Sequence, residues 1–102
     1  MISFSRRIHI AMRAADMTVS DLAVWFDRPR STVKTWDDGR TPQGPSGRVA
    51  EWRLQLLEWA IKTEFKMPVP DTLSGTERPG YVRGARNDAE RKSSVPQVRA
   101  AE

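Results

Sequence analysis

The chain has 102 residues, with 17 Lys and Arg against 13 Asp and Glu, a formal net charge of +4 and a sequence pI near 10.1. This length allows one small domain with an extension, and the lack of cysteine excludes disulfides and thiolate metal sites, which fits a reducing cytoplasm. No apolar stretch approaches the roughly 18 residues of a membrane span, Arg6, Arg7, His9 and Arg13 interrupt the run that a secretion signal would need, and the basic balance favours a polyanionic partner such as nucleic acid.

In chain order, Phe4, Ile8, Ala11, Met12 and Ala15 recur at helical spacing, and Arg6, Arg7 and Arg13 fall mostly off that stripe. The spacing predicts an amphipathic helix over 4–15. Thr18-Val19-Ser20-Asp21 is a capping-box pattern, with Met17 and Leu22 placed as a hydrophobic staple. It opens a helix through Leu22, Ala23 and Phe26 that stops near Asp27-Arg28-Pro29, because proline disfavours a helical residue before it. Pro29 also suits the first turn of a new helix. That helix reads Arg30 to Asp38, with Gly39 as its C-terminal cap. Only Val33 and Trp36 on it are apolar, so it has a narrow buried side and a broad polar one.

After a Pro- and Gly-rich loop over 41–45, Ser46 is expected to cap a long helix running to about Phe65. Its apolar residues form two stripes. Val49, Trp52, Leu56, Trp59 and Ala60 make one; Ala50, Leu54, Leu57, Ile61 and Phe65 make the other. A helix apolar on two sides is normally buried on two sides. One stripe can cover the earlier helices, and a second copy of the chain is the simplest cover for the other, which implies a homodimer through residues 49–65. Beyond Lys66 the periodicity ends. Residues 67–79 carry Pro68, Pro70, Gly75 and Pro79 and read as a linker, and 80–102, with Arg83, Arg86, Arg91, Lys92 and Arg99, read as a basic disordered tail with room for a short helix around Ala89. The expected fold is therefore all-α. Residues 1–66 hold three short helices and one long helix, and 67–102 form a flexible extension.

Two short helices joined by a tight turn, the second mostly polar, are what a reader of the DNA major groove requires. Val33 and Trp36 form the anchor; Arg28, Arg30, Ser31, Lys34 and Thr35 supply donors that point elsewhere. Residues 4–42 resemble the helix-turn-helix of the phage-repressor and Cro-like family. The match runs Thr18…Leu22-Ala23…Phe26…Ser31-Thr32-Val33…Trp36…Gly39…Thr41-Pro42. Ala23 takes the place of the family's small residue between the two helices, and Val33 and Trp36 take its two core positions. The chain departs from the pattern with Asp27 where the family usually has a turn glycine, with Pro29 at the usual cap, and with one long helix in place of two short ones. The resemblance implies that Arg30, Ser31, Lys34 and Thr35 lie nearest the bases, and that Arg28 and Arg40 suit phosphate contacts.

A plain helical hairpin would be built from the same pair of helices. Asp37 and Asp38, adjacent on a helix, point apart and read as a solvated helix end rather than paired catalytic carboxylates. His9 has no second histidine or cysteine to share a metal and reads as a surface residue. Trp25 falls on the outer side of its helix, against the first helix or a partner; Trp52 and Trp59 read as core or dimer contacts. With one His, no Cys, no glycine-rich phosphate loop and no serine nucleophile motif, neither an enzyme nor a cofactor or metal is expected. The expected function is sequence-specific binding of double-stranded DNA by a cytoplasmic homodimeric regulator of bacterial or phage type. The alternatives are a phage packaging protein resembling small terminase subunits, and a protein-interaction adaptor.

Overall fold

Ser3 accepts a hydrogen bond from the Arg6 amide and opens α1 (Phe4–Ala15), whose Phe4, Ile8, Ala11 and Ala15 are buried. Asp16 ends it in the left-handed region, which Asp tolerates better than most residues. α2 (Val19–Phe26) starts at the complete Thr18–Asp21 capping box, and α3 (Arg30–Asp37) follows Pro29, which stands at its N-cap. Gly39 then takes φ +116°, a conformation a side chain would strain. α4 (Gly44–Lys62) and α5 (Arg78–Lys92) complete an all-α fold in a computed structural model that describes residues 2–97. α4 begins two residues before Ser46, with Pro45 in its first turn where a missing amide costs nothing, and ends at Lys62 rather than Phe65. Among the described residues no helix is long and apolar enough to cross a membrane.

Two clusters bind the N-terminal helices together. Trp36 meets Phe4 and Phe26 edge to face, with centroids 5.6 Å and 5.3 Å away, and Phe4 and Phe26 lie tilted at 6.2 Å, so α1, α2 and α3 share one aromatic knot. Arg7 on α1 reaches two carboxylates on α4, Glu51 at 2.6 and 2.8 Å and Glu58 at 2.7 and 3.1 Å. Those hydrogen bonds raise the Arg7 pKa further above its already high value and hold the Glu51 carboxyl below the usual range.

The region after α4 corrects the sequence reading. Residues 67–97 are ordered against the core, and the remainder of the expected tail, 98–102, lies outside the described residues. Met67 and Val69 are buried, and the Val69 amide donates to the Ala15 carbonyl at the end of α1. α5 packs along α2 and α4 and buries Val82, Ala85 and Ala89. This packing also explains Trp25. Expected on an outer face, it is fully buried, and its indole Nε1 donates to the Arg53 carbonyl at 2.8 Å. Three residues of the second stripe of α4, Ala50, Leu54 and Leu57, are likewise buried within the chain in the same core as Val82, Ala85 and Ala89, while Ile61 and Phe65 stay half-buried. Most of the cover that a second copy was expected to supply is present in one chain.

Two predictions follow from how α5 is held. Ending the chain at Glu77 removes the helix that packs on α2 and α4 together with its buried Val82, Ala85 and Ala89, and loss of that cover is expected to abolish cooperative thermal unfolding, as followed by circular dichroism; an unchanged midpoint would show that α5 is dispensable. Asp21 supplies the second. Its carboxylate is buried and takes Arg78 Nη2 at 2.6 Å and the Thr18 amide at 2.9 Å. Burial pushes this carboxyl up, but Arg78 and Thr18 outweigh it and hold it below its usual value. The stability it contributes is present above an unfolded pKa of about 3.9 and is lost as pH falls through the lower folded value. Asp21→Asn should lower the neutral-pH stability by about 1.5–3 kcal/mol and flatten the acid limb of a plot of denaturation free energy against pH.

Candidate nucleic-acid interface

α3 is attached by its inner side and free on its outer one. Val33 is 0% and Trp36 6% exposed, whereas Arg30, Ser31, Lys34 and Thr35 are all exposed. The turn before it is three residues long. Asp27 takes φ 54°, ψ 50°, its amide returns to the Val24 carbonyl, and the Arg28 amide to the Ala23 carbonyl. Asp27 therefore adopts the left-handed conformation usually assigned to glycine, at a position where only Asn, Asp or His do so with any frequency among side-chain-bearing residues. The helix starts at Arg30, where the sequence places it, and ends at Asp37, one residue before the expected end.

The six residues expected to bind divide by environment. Arg30 Nε donates to Ser20 Oγ on α2 at 3.1 Å, and Thr35 Oγ1 donates to the Thr32 carbonyl at 2.6 Å. Ser31 and Arg40 are exposed, and Arg28 is half-buried. Lys34 Nζ lies 3.2 Å from Asp37 and 3.3 Å from Asp38; hydrogen bonds to Asp37 and then Asp38 raise its pKa. Asp37 is more than the expected solvated helix end. Its side chain is largely covered and also accepts from His9 Nε2 of α1 at 2.5 Å. Burial pushes its carboxyl up, and Lys34 and His9 more than reverse that. His9 lies at the surface, as expected, and ties α1 to the last turn of α3. Among the described residues no group of three or more His, Asp or Glu side chains converges as a metal site would.

Behind the turn lies a feature that sequence reading missed. Arg53 Nη1 on α4 donates to the Phe26 carbonyl at 2.6 Å. Arg86 Nη1 on α5 donates to the Val24 carbonyl at 2.8 Å and the Trp25 carbonyl at 3.4 Å. The open C-terminal end of α2 is thus closed by two guanidinium groups, which also suit the negative end of its dipole. Burial, then the neighbouring Arg86, lower the pKa of Arg53. The sequence signal for Arg86 was the density of arginine beyond residue 77; nothing in the local pattern singled out Arg53. Beside the turn, Ala23, Val24, Asp27, Arg28, Pro29 and Arg83 line an open cleft of about 360 Å³.

At the other end of α3, the chain turns into α4 past Pro42, and Gly47 permits the approach. A Cβ there would stand 2.8 Å from the Pro42 carbonyl oxygen. No family model, curated protein or solved structure matches the chain, so its own geometry carries the functional argument.

Trp36→Ala removes the larger anchor of α3 and should cost on the order of 3–5 kcal/mol in urea denaturation. A loss below 1 kcal/mol would show that the helix is held by its turn rather than by its core contact.

Proposed function

We propose that the protein binds double-stranded DNA with sequence preference by placing α3 in the major groove, as a transcription regulator does. The observation that supports this most is the two-sided character of α3. Its apolar residues are confined to the buried Val33 and Trp36, and its exposed residues supply a guanidinium, an ammonium and two hydroxyls. Such donors serve base edges and phosphates. The major groove is about 12 Å wide and admits one helix, and the short turn at Asp27–Pro29 with the arginines behind it fixes α3 relative to α2 before any ligand arrives. Fixing the reader in advance lowers the ordering cost of binding.

Residues 49–65 fit less well as a dimer surface. Val49, Ala50, Trp52, Leu54, Leu56, Leu57 and Ala60 are buried in one chain. The proposed unit is therefore one chain with one reading helix, and copies are brought together by adjacent DNA sites rather than by α4.

Selection of bound duplexes from a random pool tests this directly. An enriched motif is expected, and Arg30→Ala should weaken binding to it by roughly 1–3 kcal/mol with an unchanged thermal midpoint. Equal affinity for selected and random duplexes would remove the proposal.

A further inference from the structure

The cleft beside the turn joins two parts of the chain that are 55 positions apart. Arg28 belongs to the turn itself, and Arg83 comes from the exposed side of α5. Neither forms a salt bridge among the described residues. Immediately behind them stand Arg53 and Arg86, whose guanidinium groups are spent on α2 carbonyls. The carboxylates in the neighbourhood are Asp27, which lines the cleft, and Glu90, which lies 3.8 Å from Arg86. Four arginines against two carboxylates leave a local excess of positive charge at the foot of α3. Burial first, then Arg86 and more weakly Arg28, depress the Arg53 pKa, while Asp27 and Glu90 oppose them; the two arginine contributions are what like charges held together produce. An anion entering the cleft would relieve that repulsion, and Pro29, which opens α3, forms part of its wall.

Building on the reading of α3 as the groove helix, we infer that Arg83 and Arg28 together hold a backbone phosphate of the same duplex, so that α5 is part of the DNA-binding surface. The partner is duplex DNA and the contact is with its phosphodiester, which carries no base information. It sets the register in which Arg30 and Ser31, one and two residues beyond Pro29, meet the base edges. Arg40 lies at the opposite end of α3 and is exposed, which places cationic side chains at both ends of the reading helix. A phosphate contact leaves a defined signature. Each one adds about 0.9 to the slope of log affinity against log salt.

The test is a salt titration of affinity for the selected duplex and for a random one, using the full chain and the variants Arg83→Gln, Arg83→Lys, Arg28→Gln, Lys62→Gln and Arg30→Ala. Lys62, exposed at the end of α4 in the groove against α1, controls for bulk charge. The expected result is that Arg83→Gln and Arg28→Gln each reduce the slope by about 0.9 and weaken both duplexes roughly eightfold at 0.1 M salt relative to 1 M. Arg83→Lys should keep the slope, Lys62→Gln should leave it unchanged, and thermal midpoints should not move. If Arg83→Gln leaves slope and affinity at the parent values while Arg30→Ala still weakens the selected duplex, the role of Arg83 is overturned and the reading of α3 stands. An equal drop for Lys62→Gln also overturns it, because the effect is then bulk charge. Failure of the parent chain to bind any duplex at low salt overturns both.

Discussion

An α-helix leaves its last carbonyls without partners, and in this chain the last carbonyls of α2 lie immediately before the segment that aims α3. Their satisfaction governs the rest of the structure. The turn meets part of the demand with its own amides, from Asp27 to Val24 and from Arg28 to Ala23. The remainder falls to guanidinium groups from elsewhere, Arg53 on Phe26 and Arg86 on Val24 and Trp25. A buried carbonyl left bare costs about 1–3 kcal/mol, and a charge taken out of water costs more unless it finds such partners. Each group therefore makes the other's burial tolerable. The geometry of the turn thus depends on α4 and α5, neither of which is part of the helical pair it joins.

The start of α2 is treated in the same way. Thr18 and Asp21 satisfy each other's backbone, and Asp21 takes Arg78 from the first turn of α5. Arg78 also reaches the Asp16 carbonyl at the end of α1. Arg78 and Arg86 are eight residues apart, about 12 Å along a helix, which is the length of α2. They meet the start and end of α2 in that order, so the two helices run in the same direction. Small residues at Ala85 and Ala89 allow the backbones to lie close enough for both arginines to reach. α5 works as a splint on α2.

This explains which parts of the fold were legible. The bounds of α1 were readable from Phe4, Ile8, Ala11 and Ala15, because large apolar residues at helical spacing leave an unambiguous stripe. The start of α2 was readable from Thr18 and Asp21, and the attachment of α3 from Val33 and Trp36. α5 was not, because its buried face consists of Val82, Ala85 and Ala89 among arginines and glycines. Alanines pack by proximity rather than by bulk, so a hydrophobic pattern under-reports them. The arginines that read as solvated tail are half-buried at Arg78 and Arg86, their charge spent on α2. Without α5 in view, Trp25 falls on an outer face and the second stripe of α4 lacks cover; with it, Trp25 is buried and Ala50, Leu54 and Leu57 join the core of the same chain. Within the candidate site, the outward residues of α3 were legible as soon as its two anchors were, but the place of Arg83 in the cleft beside the turn depends on packing across 55 positions that no local pattern encodes.

The charge on α3 bears on how it would read DNA. Lys34 is shared between Asp37 and Asp38, and Asp37 also holds His9, so the second half of the helix carries no strong positive field. Among the described residues, Arg28, Arg40 and Arg83 around its ends form no salt bridge, nor does Arg30 in its first turn. In the proposed complex this separates two tasks. Flanking arginines attract the duplex and fix its register through phosphates, with strong dependence on salt. The nearly neutral helix between them offers Ser31, Thr35 and Arg30 to base edges and gains little from a wrong sequence, because its charge does not favour one duplex over another. A uniformly basic α3 would bind every duplex more tightly and so distinguish among them less. In the proposed complex the carboxylates at the end of α3 would lower general affinity while leaving the outward donors in place, and specificity depends on that difference rather than on affinity alone.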